Sequence, residues 1–584
     1  MNELKWIVEC SAFSVMLGIS VVIGLYFGCV KKEGNTVNEY LLGNKKMTVF
    51  PIVMSLIASH ISGIMLLGIP TEVYCYGTLY LLSGAINMVI IIVIFYVYLP
   101  VFYELQLTSV YEYLEYRFNS TIRGFASIIY AVSLILYIPI VMYVPALVLN
   151  QITGISVHLI TPLICVICIF YTTIGGLKAV VWTDAIQSFF TALSVIVIIV
   201  MALVEVGGFG NMIRTNLVGD RIEFFKMDPD PFLRNSFWTV SIGTALHVIS
   251  TIGVQAGSVQ RFVSLPSYAK AGKSLIAFSL GMCVVKILTG CLGMLIYTKY
   301  QDCDPVLADY IKSYKYILPY FVVDIVGLVP GLTGLFISGM FSAALSTMSA
   351  HLNTVSGTIY KDFIVKVISK DVSESTASII MKCVVVIVGS MCLMLVVVVE
   401  KFNEIIQFAK SMSGITDGAI VSVFTLGLCF PCCNSRGVIC GMITSIGVMA
   451  WIITGAQLAT MNNELKLVMK NVSIAGCPTN ITFKNHNDFS GLYRMNDDVY
   501  VSPNVLKIFT VSYLHYNTVG TIIGIVVGLV VSVLFPMDQN IDPKLITPCV
   551  RKFLYPKYAV AKGNRSGYVT RSEEYRPVTQ NTKL

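Results

Sequence analysis

The chain has 584 residues, 56% of them hydrophobic and 12% charged, with a formal net charge of +8 and a mean hydropathy of +0.77. Soluble domains carry roughly 25% charged residues, and apolar stretches of about 20 residues, enough to cross a bilayer, recur along nearly the whole sequence. A soluble enzyme is thereby excluded, and the absence of aromatic–basic interleaving argues against a nucleic-acid partner.

Window length predicts about thirteen spans in an all-α polytopic membrane protein that meets lipid on its outer faces. In chain order they are Ile7–Val30, Val49–Pro70, Leu79–Phe102, Ile122–Leu149, Val157–Ile174, Thr183–Glu205 and Trp238–Val259. Ser274–Tyr297, Ile325–Met348, Ser378–Val399, Ile405–Cys429, Val438–Gly455 and Val511–Phe535 complete the series. The first lacks a basic leader and a cleavage site, so it reads as a span and not as a signal peptide. A membrane domain over 1–536 is followed by a basic, polar tail over 537–584, whose composition predicts a flexible cytoplasmic segment.

The connections Val73–Thr78 and Asn150–Ser156 carry no Lys or Arg, whereas alternate edges carry Lys31, Lys32, Lys45, Lys46, Arg117, Arg123, Lys178, Arg261, Lys270, Lys273, Lys361, Lys366 and Lys370. The positive-inside rule makes those edges cytoplasmic, the amino terminus extracellular and the tail cytoplasmic. The polar loop at about 457–506 then lies outside, with acceptor sequons at Asn471 and Asn480. Cys303 and Cys477 share that side, so they are free to pair if geometry allows. The last residues, Thr582-Lys583-Leu584, have the hydroxyl-x-apolar form that docks on a PDZ sheet edge.

Polar chemistry concentrates in a few spans. In the second, Ser59-His60-Ile61-Ser62-Gly63 lies between Pro51 and Pro70. Such a weakened centre either lines a cavity with freed carbonyls or lets Gly63 pack closely. In the ninth, Ser342, Ser346, Ser349, Asn353 and Ser356 fall on one helical face beside Thr347. Neutral oxygens suit a hard cation that must bind and leave, but the same residues also join helices. His60, His247, Lys286 and Asp417 are ionisable residues within spans, where such residues face cavities and mark solute paths; each histidine either does so or is a satisfied core residue, and Lys286 and Asp417 either serve that role or pair with each other. No phosphate loop and no HExxH motif is present.

Several segments together resemble the sodium:solute symporter family, in its animal branch of iodide, monocarboxylate and multivitamin transporters. They are LTSVYEYLEYRF at 107–118, FYTTIGGLKAVVWTDAIQ at 170–187, FWTVSIGTAL with VQRFVS at 237–264, DCDP at 302–305 and PGLTGLFISGMFSAALST at 330–347, with YVPALVLNQITG at 143–154. The resemblance covers about residues 5 to 535. It implies a leucine-transporter-like fold of two inverted five-helix repeats, with the second and seventh spans broken. It also implies sodium as coupling ion, without an organic cofactor. The ion would be held by the carbonyls of Ala58, Ile61 and Ala343 and the hydroxyls of Ser346 and Thr347, with Asp184 near the cytoplasmic exit.

The same comparison implies a solute cavity lined by His60, Met65, Tyr137, His247, Val248 and Asp417, and here the chain departs from the pattern. Met65 stands where the iodide branch has Gln, His60 where it has an aromatic residue, Val248 where it has Trp, Asp417 for a small polar residue and Ala419 for Pro. Lys286 falls where the family is apolar. A cavity of that polarity implies histidines that meet a carboxylate or titrate during transport. The expectation is a plasma-membrane, sodium-driven importer of a small organic anion, monocarboxylates ahead of biotin- or pantothenate-like vitamins and iodide. A sodium-gated channel or non-transporting sensor on the same fold is the competing class, and an enzyme lacks a catalytic constellation.

Overall fold

The computed structural model describes residues 3–26, 47–107, 109–327, 329–367, 373–400, 405–478, 492–496, 498–537 and 541–554. Asn480, Thr582-Lys583-Leu584, the tail beyond 554, and Lys31, Lys32, Lys45, Lys46 and Lys370 lie outside them.

Ten described helices are long and apolar enough to span a bilayer, and two bent helix pairs bring the number to 12. The expected thirteenth is α1 (Glu3–Leu25), 23 residues long, which qualifies only as a shorter apolar helix over Phe13–Ile23. The bent pairs are α2 (Val49–His60) with α3 (Gly63–Tyr76), at 59°, and α7 (Phe237–Gly253) with α8 (Ala256–Val263), at 56°. Between them run α4 (Thr78–Leu105), α5 (Ser120–Thr153) and the helical run α6 (Val157–Glu205). After them come α9 (Tyr268–Tyr300), α10 (Leu332–Val367), α11 (Glu374–Val399), α12 (Ile405–Cys429), α13 (Ser435–Met461) and α14 (Tyr513–Leu534).

The run α6 spans 49 residues yet serves as two spans, Val157–Ile174 and Val180–Glu205. Tyr171 donates to Leu345 O at 2.9 Å and Thr191 to Gly339 O at 3.0 Å. A straight helix would separate Tyr171 from Thr191 by about 30 Å, while their partners are only about 9 Å apart along α10. The chain therefore turns back between the two contacts.

Burial ranks the layers. The apolar window of α10 is 89% buried, that of α5 78% and that of α12 67%, against 39% for most of the others, so these three, with the largely buried α2, α3 and α8, form the centre and the rest the lipid-facing shell. Close crossings use small residues, as expected where apolar lipid offers no drive to association: a Cβ on Gly418 would come 2.8 Å from Gly520 Cα, and one on Gly441 2.4 Å from Gly524 O. The ninth span begins later than Ile325. An apolar helix, Ile317–Val326, is separated from α10 by a turn through Gly331 at φ 91°, a conformation that favours glycine.

The two ends of the bundle differ. One carries a three-stranded antiparallel sheet of Leu465–Leu467, Tyr493–Asn496 and Val499–Val501, with the last strand central and Leu465 opposite Val501. On the same end Cys303 and Cys477 form a disulfide across 174 residues of sequence, flanked by Gly476 N–H to Asp302 O at 2.8 Å. Asn471 is exposed there. The opposite end carries Arg117 and Arg123, which are more than edge charges. Arg117 is buried and donates to the carbonyls of Gly427, Phe430 and Cys433, and Arg123 bonds Asp362 at 2.5 Å.

Candidate functional site

The first break follows from its residues. Ile61 and Ser62 are extended (φ −83°, ψ 97° and φ −100°, ψ 162°), and the Ser62 hydroxyl accepts from Met65 N–H to cap α3. Gly63 lets the new helix approach α5, since a Cβ there would lie 3.1 Å from Val144 Cγ1. The helix ends before Ser62 can donate to Ala58 O, and Met65 N–H turns to Ser62 O at 3.0 Å. The carbonyls of Ala58 and Ile61 are thus released from the helical ladder, and released carbonyls of this kind line ion paths in transporters.

The facing residues of α10 take them up. Ser346 Oγ lies 2.9 Å from Ala58 O and Thr347 Oγ1 3.4 Å from Ile61 O, while both hydroxyls also reach Ala343 O, at 3.1 and 2.9 Å. Ala58, Ile61, Ala343, Ser346 and Thr347 therefore form one buried oxygen cluster. The rest of the hydroxyl stripe does not join it: Ser349 and Ser356 donate to carbonyls of their own helix, and Ser342 Oγ has no partner among the described residues.

Toward the end opposite the disulfide, Asp184 on α6 is fully buried and accepts from Ser55 Oγ on α2 at 2.8 Å. Arg261 on α8 stands 3.6 Å from the same carboxylate oxygen and donates to Ser59 Oγ at 3.1 Å. A small polar cluster thus ties both broken spans to α6. Arg261, which the sequence offered only as a basic edge, is buried and belongs to it.

Between the breaks lies a cavity of about 220 Å³, and His60, Met65, Tyr137, His247, Val248 and Asp417 all line it. His60 bridges the breaks. Its Nδ1 is 2.8 Å from Leu56 O and its Nε2 3.4 Å from Thr251 O, in the loosened turn of α7. His247 Nδ1 lies 3.4 Å from Asn517 Nδ2. Lys286 also lines the cavity, but it is not ion-paired with Asp417; its ammonium donates to Ser83 Oγ at 2.9 Å. His351 is a lining residue that the sequence did not single out. It packs edge-on to Tyr137, ring centroids 5.5 Å apart, and its Nδ1 has no partner among the described residues. A lone histidine off the hydroxyl face of α10 gave no periodic signal to find it by.

Two broken spans enclosing a polar mid-bundle cavity, with hydroxyls of a third span at one break, define a secondary transporter of the inverted-repeat class. The architecture matches the solved, substrate-bound outward-open state of a Na+-coupled sialic acid symporter, with a TM-score of 0.74 over 91% of this chain and 99% of that one at 22% identity. The model of the sodium:solute symporter family matches residues 40–445. Sodium-coupled monocarboxylate transporter 1 of Xenopus laevis is 33% identical over 542 residues, covering 91% of this chain and 86% of that protein. The sodium-dependent multivitamin transporter of Oryctolagus cuniculus is 31% identical over 552 residues, covering 94% and 86%. The chain belongs to the sodium:solute symporter family and is a multi-pass, sodium-coupled solute symporter.

Proposed function

We propose that this symporter imports a short monocarboxylate across the plasma membrane by alternating access, driven by sodium held at Ala58, Ile61, Ala343, Ser346 and Thr347. The observation that carries the reading is the pairing of the two released carbonyls of the first break with two adjacent hydroxyls of α10. A desolvated Na+ among these oxygens replaces the hydroxyl-to-carbonyl bonds and fastens α2 to α10, which favours the solute-binding conformation. Release of the ion past Asp184 frees α2 and with it the solute. Each charge moved contributes about 2.3 kcal/mol per 100 mV, so more than one sodium per anion makes uptake voltage-driven.

Size supports a short acid. The cavity volume of about 220 Å³ falls below the roughly 300–1,000 Å³ of pockets for drug-sized ligands, which favours monocarboxylates over biotin- or pantothenate-sized solutes. The disulfide, the exposed Asn471 and the polar loop support an extracellular assignment for their end. The amino terminus then lies outside, Asn471 and Asn480 are glycan acceptors, residues 537–584 form a cytoplasmic tail, and Thr582-Lys583-Leu584 offers a PDZ ligand. Purified protein in proteoliposomes tests the reading. An inward sodium gradient should concentrate lactate or pyruvate above equilibrium, and replacement of Na+ by choline should abolish it. Uptake indifferent to that replacement, or solute flux that never exceeds its own gradient, would refute symport and leave a channel or sensor.

A further inference from the structure

Lys286 has no part in the sodium cluster, yet it places a cation inside the transport cavity. It sits mid-way along α9 (Tyr268–Tyr300), with roughly 21 Å of helix to one end and 27 Å to the other. A four-carbon stem cannot carry its ammonium to either interface from there. The neighbouring helix accommodates it. Gly84 lies beside the stem, and even a Cβ there would meet Lys286 Cδ at 3.7 Å, an ordinary packing distance. Ser83, the preceding residue, takes one ammonium hydrogen at 2.9 Å.

An ammonium has three hydrogens to donate. No ion pair among the described residues includes Lys286, whose ammonium is bonded there to the Ser83 hydroxyl. A charge kept in the membrane without a protein counter-ion is expensive and marks a solute or ion path. Asn87, one turn beyond Ser83 on α4, lines the same cavity with its amide, as does Tyr80. Phe278 and Met282, on the preceding turns of α9, and Val248 supply apolar wall.

We infer that Lys286 is the anchor for the anionic group of the transported solute, a carboxylate whose oxygens take its remaining hydrogens beside Asn87. The inference rests on the anion-symport reading above and adds the residue that selects the acid. The carbon chain of the solute then lies along Phe278, Met282 and Val248. A carboxylate in this position neutralises the buried cation, so the loaded cavity is less costly to occlude than the empty one.

The test compares wild type with Lys286→Met, Lys286→Gln and Lys286→Arg in proteoliposome uptake under an inward sodium gradient. The probes are propionate, lactate and pyruvate, each beside its neutral amide. A hydrogen bond to a charged group contributes about 1.5–3 kcal/mol, so KM for the acids should rise about 10- to 100-fold in the Met variant. Uptake of the amides should stay unchanged or improve, and the Arg variant should keep the preference for acids. Lys286→Gln replaces the charge by a shorter neutral hydrogen-bond donor, and it decides the matter if the Met variant does not fold. A structural role would depress acid and amide alike, so an unchanged acid-to-amide ratio overturns the anchor while leaving sodium symport intact. Wild-type protein that concentrates only neutral solutes overturns both the anchor and the anionic solute.

Discussion

The two broken spans are tied down on either side of the cavity, and the two ties are built differently. On the disulfide-bearing side, Glu72 at the far end of α3 meets Arg234, just before α7. Both Glu72 oxygens are engaged, at 3.0 and 2.7 Å, and Asn235 adds a third bond at 2.8 Å. The guanidinium also stacks over Tyr76, 4.0 Å from the ring centroid. On the other side, Arg261 approaches Asp184 only to 3.6 Å, and Asp184 Oδ1 and Arg261 Nε have no partner among the described residues. A bidentate, multiply bonded pair resists separation far more than a stretched one. The asymmetry makes the disulfide-bearing end the stiffer closure and the Asp184 end the one that opens at lower cost.

The largest effect should come from breaking the strong tie. Arg234→Met leaves Glu72 buried without its partner, a loss of about 3–5 kcal/mol. The melting temperature of purified protein should fall sharply, and adding Glu72→Leu should restore most of it, because removal of both charges also removes the unpaired one. A single variant as stable as wild type would show that this closure is not the stiff one.

Next in size is the break itself, where an ion competes with both ties. Ser346→Ala or Thr347→Ala removes an oxygen that meets Ala58 or Ile61. At about 1.5–3 kcal/mol per charged contact, the half-saturating Na+ concentration should rise 10- to 100-fold, measured by uptake against a sodium titration. An unaltered sodium dependence in both variants would move the ion elsewhere.

The weak tie should yield least. Ser55→Ala deletes the 2.8 Å hydrogen bond to the Asp184 carboxylate, at about 1 kcal/mol. Easier opening on that side reduces the population able to bind external sodium, so apparent affinity should drop about fivefold with melting almost unchanged. A loss in stability as large as that of Arg234→Met would erase the asymmetry.

Much of this architecture was legible in the sequence, for identifiable reasons. The break at Ile61–Ser62 announces itself through Ser, His and Gly between two prolines, and the spans through hydropathy. Relative placement was not legible. The hydroxyl stripe identified a face of α10, but periodicity cannot tell that Ser346 reaches another helix while Ser349 and Ser356 bond to their own. Arg261 looked like a cytoplasmic marker because a charge near a span end carries no sign of whether it turns inward. Whether Lys286 and Asp417 pair or face a cavity was open in the sequence, and only the fold directs Lys286 to Ser83. The ninth span was placed too early because Ile317–Val326 is itself apolar and extends the window across the turn at Gly331.

The pivot between the two ties offers the finest test. Ser62 accepts from Met65 N–H at 3.4 Å and begins α3 in extended conformation. Loss of a helix cap costs about 0.5–2 kcal/mol, and a bond this long belongs at the low end. Ser62→Ala should therefore leave the bundle folded and the Glu72–Arg234 closure intact. It loosens the start of α3, next to Ile61 O, so sodium affinity should weaken two- to threefold while the preference among solutes stays fixed. If solute preference shifted and sodium dependence did not, the break would be shaping the cavity more than the ion cluster, and the two ties would have to be treated as gates for the solute alone.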